Sequence, residues 1–249
     1  MTAPRSTPAR LPLARVGVRP DIGDPGAWYW QVPAVAQLRA EGMQLGPVTV
    51  LVGENGSGKS TLVEAVAQRW GSSLTAAVKH WGPLVPGPDA ATLSWDLELE
   101  GERPRPQGGV WLRAEAMHSH FAGVDAGVDG LRAFGGRALH ARSHGEGFLA
   151  FLESRTDERG LWVLDEPESA LSFRSSLRLL ALIDGAVAAG SQVLLATHSP
   201  LLAAFPRAVV YELDGDGFSR RPWAELDLVQ DWQAFFDDPA RLLHHLLDD

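Results

Sequence analysis

The chain has no cysteine. That removes disulfides, thiol nucleophiles and cysteine-based zinc sites from its chemistry. Lysine is almost as scarce: Lys59 and Lys79 are the two in 249 residues, and arginine carries the remaining positive charge. No stretch approaches the roughly eighteen consecutive apolar residues of a membrane-spanning helix. The opening MTAPRSTPARLPLARV lacks the continuous apolar segment of a signal peptide, so a cytoplasmic location is expected. There are no internal repeats, no heptad seam and no long run of one charge, which excludes a long coiled-coil arm. A formal net charge of −9 argues against a surface that coats nucleic acid, leaving room only for a local basic patch.

What is present suits one large α/β domain over residues 1–249, with 45% hydrophobic residues to build a core. The first ten residues are rich in Pro, Ser, Thr and Arg and are expected to fray. Leu11 to Val18 and Pro47 to Val52 read as strands, and Gly26 to Ala40 as an aromatic turn followed by a short helix. Thr92 to Glu100 alternates apolar and polar residues, which predicts a strand with one wet face. Gly109 to Arg113, Leu161 to Leu164, Gln192 to Ala196 and Ala208 to Leu213 are further strand candidates, with Gly217 to Pro222 at an edge. Helices are expected over Thr61 to Trp70, Glu146 to Arg155 and Glu168 to Ala189. A broken helical tail runs from Glu225 to Leu247, its second half capped by Asp237-Asp238-Pro239. Strands alternating with helices imply a mainly parallel sheet flanked by helices.

The most informative stretch is Gly53-Glu54-Asn55-Gly56-Ser57-Gly58-Lys59-Ser60-Thr61. It matches the phosphate-loop pattern G-x-x-x-x-G-K-[ST] and lies between a buried strand and a helix, the context its chemistry requires. Its glycines let backbone amides approach a phosphate chain, and the helix N-terminus adds its positive end. Lys59 is placed to reach the β- and γ-phosphates as a compact ammonium, and the Ser60 hydroxyl to meet Mg²⁺.

Two further strand ends complete the pattern. Leu161-Trp162-Val163-Leu164 runs into Asp165-Glu166. A buried strand ending in Asp beside such a loop suits a Mg²⁺ held partly through water, and the following Glu166 suits a water aimed at the γ-phosphate. Gln192 to Ala196 ends in Thr197-His198-Ser199. At the carboxyl edge of a parallel sheet, His198 would face the ligand crevice and hold the attacking water in line with Glu166. His118 and His120 with Asp125 have part of a metal-ligand spacing, but their Gly-rich setting reads as a solvated loop.

With these pieces in order, the chain resembles the ABC-type ATPase heads of the P-loop NTPases. More closely, it is similar to small bacterial proteins of the "AAA family ATPase" kind that are built like such heads. The resemblance lies in Gly53 to Thr61, Gly136 to Leu149, Leu161 to Ser172, Ala196 to Leu202 and the tail Phe235 to Leu247. It implies a mainly parallel sheet with a small antiparallel β portion and a helical insert, the insert covering about residues 71–142. It also implies Mg-dependent ATP binding and hydrolysis, with two copies paired head to tail around ATP and coupled to an unidentified protein partner. The family's signature is typically LSGGQ, and this chain offers Ser143-His144-Gly145-Glu146-Gly147 in its place. Ser143 and Gly145 are thereby implied as a cap on the γ-phosphate of the opposite copy. The same residues also read as an N-capping box, Ser143 with Glu146, and the two roles are compatible. Pro167 to Leu171 resembles the family's D-loop. The family's Q-loop glutamine has only Glu115 as a substitute, and an adenine-stacking ring would come from Trp28, Tyr29 or Trp30. A transport motor subunit and a nucleotide-gated switch in DNA maintenance or defence are the alternative roles.

Overall fold

Apolar runs four to six residues long are buried on both faces only when helices cover both sides of a sheet, and this architecture follows. The computed structural model describes residues 11–20, 23–71, 90–114 and 143–247. Nine strands occur among them: β1 (Arg15–Val18), β2 (Met43–Gln44), β3 (Val48–Gly53), β4 (Leu97–Glu100), β5 (Gly108–Arg113), β6 (Gly160–Asp165), β7 (Gln192–Ala196), β8 (Val209–Asp214) and β9 (Gly217–Arg220). The helices are α1 (Pro33–Glu41), α2 (Lys59–Gly71), α3 (Ala90–Asp96), α4 (His144–Glu153), α5 (Phe173–Ala188), α6 (Pro200–Ala203), α7 (Asp227–Asp237) and α8 (Pro239–Leu247).

The main sheet has the order β5-β6-β7-β3-β8-β9. Its first five strands are parallel, and β9 pairs antiparallel with β8 at the edge. A second, three-stranded antiparallel sheet has the order β2-β1-β4. The strand period of two splits the core. Leu51, Leu161, Val163 and Leu194 face α1, α2 and the small sheet, packing with Leu38, Val63, Val66 and Leu99. Val50, Val52, Trp162, Leu164 and Leu195 face the other way, against Phe148, Phe151, Leu179, Ile183 and Val229 of α4, α5 and α7. The buried Gln192 side chain ties the two sheets together. It accepts from Leu13 N (2.7 Å) and donates to Leu13 O (2.6 Å) and Gly46 O (2.8 Å).

Two elements depart from expectation. Thr92 to Asp96 is helical, and the strand begins only at Leu97. A strand would put Leu93, Trp95 and Leu97 on one face; instead Leu93 and Leu97 are fully buried while Trp95 is 62% exposed. The spacing of four that buries this pair against α2 outweighs the alternation. Asp96 anchors the switch, its carboxylate accepting from Tyr29 Oη at 2.7 Å. The helix expected from Glu168 starts at Phe173. Pro167–Ala170 is a 3₁₀ turn, Leu171 is extended, and the Ser172 hydroxyl caps α5 by accepting from Ser175 N. The tail breaks at Asp238, whose carboxylate accepts from Arg241 N and caps α8 as expected. Among the described residues, no helix is long and apolar enough to cross a membrane. The expected fraying of residues 1–10 and most of the expected insert at 71–142 lie outside them.

Candidate functional site

Parallel pairing brings the carboxyl ends of four strands to one edge. Leu51 pairs with Ala196, Ala196 with Asp165, and Asp165 with Arg113. The loop leaving β3, the acidic pair ending β6 and the histidine turn after β7 therefore share one crevice. Gly53, Gly56 and Gly58 take φ of 144°, 82° and 98°, angles open chiefly to glycine. At Gly53 a Cβ would also come within 2.2 Å of Leu213 O. Glu54, Asn55 and Gly56 are exposed, and Ser57, Ser60 and Thr61 are partly so.

Lys59 is the first residue of α2 and is buried to 3% exposure. Its Nζ donates to Gly53 O and Glu54 O, both at 2.8 Å, drawing the loop around the ammonium. Burial lowers its pKa, and the nearby carboxylates of Glu166, Asp165 and Glu168 oppose that shift.

Ser60 Oγ donates to Asp165 Oδ1 at 3.1 Å. Burial raises the Asp165 pKa to about 6, against the opposing effects of Arg113 and the Ser60 hydroxyl. Arg113, at the end of β5, lies 3.4 Å from Asp165 Oδ2 and 3.6 Å from Glu64 Oε2. A small cavity of about 40 Å³ is lined by Ser60, Arg113, Ala114, Asp165, Glu166 and Ser169. A hydroxyl and a carboxylate side by side fit Mg²⁺, a hard cation that takes few protein oxygens and keeps much of its water. The described residues contain no cluster of three or more His, Asp or Glu arranged as an all-protein metal cage.

Glu166 sits at φ 48°, ψ 50°, a left-handed conformation that costs a residue with a side chain on the order of 1–2 kcal/mol. Its Oε1 lies 3.4 Å from His198 Nε2, and that ring nitrogen is buried with no hydrogen-bond partner. The His198 backbone N–H donates to Glu168 Oε1 at 2.5 Å. Beside the loop opens a cleft of about 520 Å³, whose lining includes Pro33, Gly53 to Ser57, His198, Asp214 and Asp231. A pocket of this size suits a small-molecule ligand.

Ser143 and Gly145 lie at the start of α4 and line neither cavity. The capping box is formed: Ser143 Oγ accepts from Glu146 N at 3.3 Å, and Glu146 Oε2 accepts from Ser143 N at 3.2 Å. Gly145 packs against Ala170 O, where a Cβ would sit at 2.9 Å. Of the three aromatic candidates, Tyr29 is buried and bonded to Asp96. Trp30 lies beneath the Arg39 guanidinium (4.6 Å) and donates its indole N–H to Asp24 O, and Trp28 keeps an exposed ring. Glu115, His118, His120, Asp125 and Gly136 to Arg142 lie outside the described residues. Arg113 and Glu64 are not among the site residues the sequence suggests, and Glu168, within the D-loop-like stretch Pro167 to Leu171, has a contact with His198 that the sequence does not suggest.

No family model matches the sequence. Among curated proteins, it is 33% identical to the cytochrome c biogenesis ATP-binding export protein CcmA of Cupriavidus necator, over 64% of this chain and 75% of that protein. It is 28% identical to the hemin import ATP-binding protein HmuV of Streptomyces coelicolor, over 97% of this chain and 89% of that protein. Solved structures that superpose include a metal-chelate type ABC transporter in an inward-facing conformation. That pair is 18% identical with a TM-score of 0.49, covering 90% of this chain and 89% of the other. The SMC head domain of Thermotoga maritima superposes at 15% identity and a TM-score of 0.43, covering 84% and 99%.

Proposed function

The chain belongs to the ABC-type ATPases of the P-loop class, and from that premise we propose that it binds Mg-ATP in this crevice, hydrolyses it slowly, and pairs head to tail with a second copy while ATP is bound. Membership makes it an ATPase; the residue roles, the pairing and the client are the proposed part. The reading takes residues 1–249 as one ATPase domain with an insert over about 71–142, on the cytoplasmic side. A finer placement with small stand-alone bacterial heads is supported by the altered stretch Ser143 to Gly147.

In this reading the amides of Gly53 to Ser60 and the Lys59 ammonium bind the phosphate tail. Ser60 and Asp165 hold Mg²⁺, which when bound offsets charge on the phosphate oxygens. Glu166 accepts hydrogen bonding from a water and aims it, and His198 holds Glu166 and that water in line. Ser143 and Gly145 cap the γ-phosphate bound by the other copy. Nothing covalent is required of the protein, so positioning and preorganised charge account for the rate.

The observation that supports it most is the meeting of Ser60 with Asp165 at 3.1 Å and of Glu166 with His198 at 3.4 Å on one sheet edge. Titration calorimetry with Mg-ATP on the parent and on Lys59→Ala tests it. Binding should be clear in the parent and weakened at least tenfold in the variant. A folded parent that takes up no nucleotide defeats the proposal.

A second reading concerns the client. The two relatives act in hemin import and cytochrome c biogenesis export, which favours a membrane permease as the partner. This outranks a nucleic-acid switch, which the net charge of −9 also disfavours. Co-purification with a permease from native membranes would support it.

A further inference from the structure

We infer that Glu168 is a positioning residue for His198: its carboxylate holds the histidine turn against the strand end that carries Glu166. This rests on the ATPase reading above and deepens it.

Three links join the two strand ends. Glu166 N donates to Ala196 O at 2.9 Å, extending the sheet pairing of β6 with β7. Glu166 Oε1 faces His198 Nε2 at 3.4 Å, which is the alignment the chemistry needs. Glu168 Oε1 accepts the His198 N–H at 2.5 Å. Only this last link is a side chain of one turn gripping the backbone of the other.

The residues flanking His198 are held from elsewhere. Thr197 N donates to Leu51 O at 3.0 Å, and Ser199 N donates to Thr197 Oγ1 at 3.0 Å. The amide of His198 is left pointing toward the β6 side, and Glu168 is the acceptor that meets it. The backbone of the acidic turn explains how. Glu166 is left-handed, Pro167 opens a 3₁₀ turn, and Ser169 closes it by donating its N–H (3.2 Å) and Oγ (2.9 Å) to Glu166 O. That reversal sends the side chain two residues beyond Glu166 back across the strand end to β7.

A charged acceptor strengthens the link, since hydrogen bonds to ionised groups are shorter and stronger than neutral ones. Glu168 Oε2 is buried with no hydrogen-bond partner, so this carboxylate is partly desolvated, and besides the bond to His198 N it acts through space on the Lys59 ammonium. The same turn abuts α4 through Ala170 O and Gly145. The turn that carries Glu168 thus lies between the Ser143 element and His198.

The test combines backbone NMR of ¹⁵N-labelled, nucleotide-free protein with steady-state ATPase kinetics on the parent, Glu168→Gln and Glu168→Ala. The His198 amide proton of the parent should lie far downfield, move upfield in Glu168→Ala and move less in Glu168→Gln, which keeps an acceptor without charge. In Glu168→Ala, kcat should fall roughly tenfold with KM for ATP little changed, and Glu168→Gln should recover part of it. An amide that does not move overturns the inference, and so does one that moves while kcat holds. A folded parent that turns over no ATP would instead defeat the ATPase reading, and the amide shift would still decide whether Glu168 holds this turn.

Discussion

Ser60 Oγ donates to Asp165 Oδ1 at 3.1 Å, joining the first turn of α2 to the end of β6 across 105 residues of chain. Sheet order creates the contact. β7 lies between β3 and β6, and all three run parallel, so the loop leaving β3 and the acid ending β6 emerge at one level. The consequences of holding a carboxylate there can be measured.

Asp165 is 3% exposed, and its pKa is raised from 3.8 to about 6. The folded protein therefore binds this proton more tightly than the unfolded chain does. Its contribution to stability is complete below about pH 4 and declines as pH rises to about 6, by ~3 kcal/mol in all. Urea unfolding of metal-free protein across that range should show the decline, and Asp165→Asn should abolish it. An identical slope in the variant would assign the titration to another group.

The same carboxyl must be ionised to hold Mg²⁺. Below about pH 6, the Mg²⁺-dependent part of ATP affinity should weaken by about tenfold per pH unit, as proton and metal compete for one site. Calorimetry at pH 5, 6 and 7, with Mg²⁺ and with a chelator, measures it. A Mg²⁺ effect that is flat with pH would exclude Asp165 as the ligand.

Glu166→Gln keeps the shape of the side chain facing His198 and removes its basicity. Turnover should fall at least about 100-fold while ATP still binds. Light scattering should then find an ATP-dependent dimer. Parental turnover in this variant would end the assignment of the water-aiming role.

Ser143 can be separated into its two roles. Ser143→Ala should cost about 1 kcal/mol of stability by removing the capping box. Ser143→Asp should restore the cap, because aspartate accepts from Glu146 N as serine does. If Ser143 also meets a γ-phosphate across a dimer, the new charge should suppress ATP-driven pairing despite the restored stability. Parental pairing in Ser143→Asp would leave the residue a helix cap alone.

Gln192→Leu fits the volume but strands Leu13 N, Leu13 O and Gly46 O, all bonded to the glutamine. A loss of about 3 kcal/mol is expected in urea unfolding. A loss near zero would mean that the strand preceding β1 re-pairs elsewhere.

Local pattern makes the phosphate loop, the acidic and histidine-bearing strand ends and most of the helices readable in the linear chain. Each depends on neighbours a few residues away: glycine φ, apolar runs, a capping serine. Thr92 to Asp96 shows the limit. Its alternation is a genuine local signal, yet the energy gained by burying Leu93 and Leu97 together against α2 decided for helix and left Trp95 in water. α5 starts later than the sequence suggests, because the left-handed Glu166 and the 3₁₀ turn after it place Glu168 on the amide of His198, just beyond β7.

From residue order alone came the kind of chemistry: amides and an ammonium for phosphate, oxygens for a hard metal, a carboxylate beside a histidine. Which groups touch was settled by the packed sheet. Arg113 beside Asp165 and Glu168 on the amide of His198 join residues 52 and 30 positions apart. Such pairings carry no mark in the chain itself, since only strand order and register, the outcome of burying both faces of the sheet, bring them within reach.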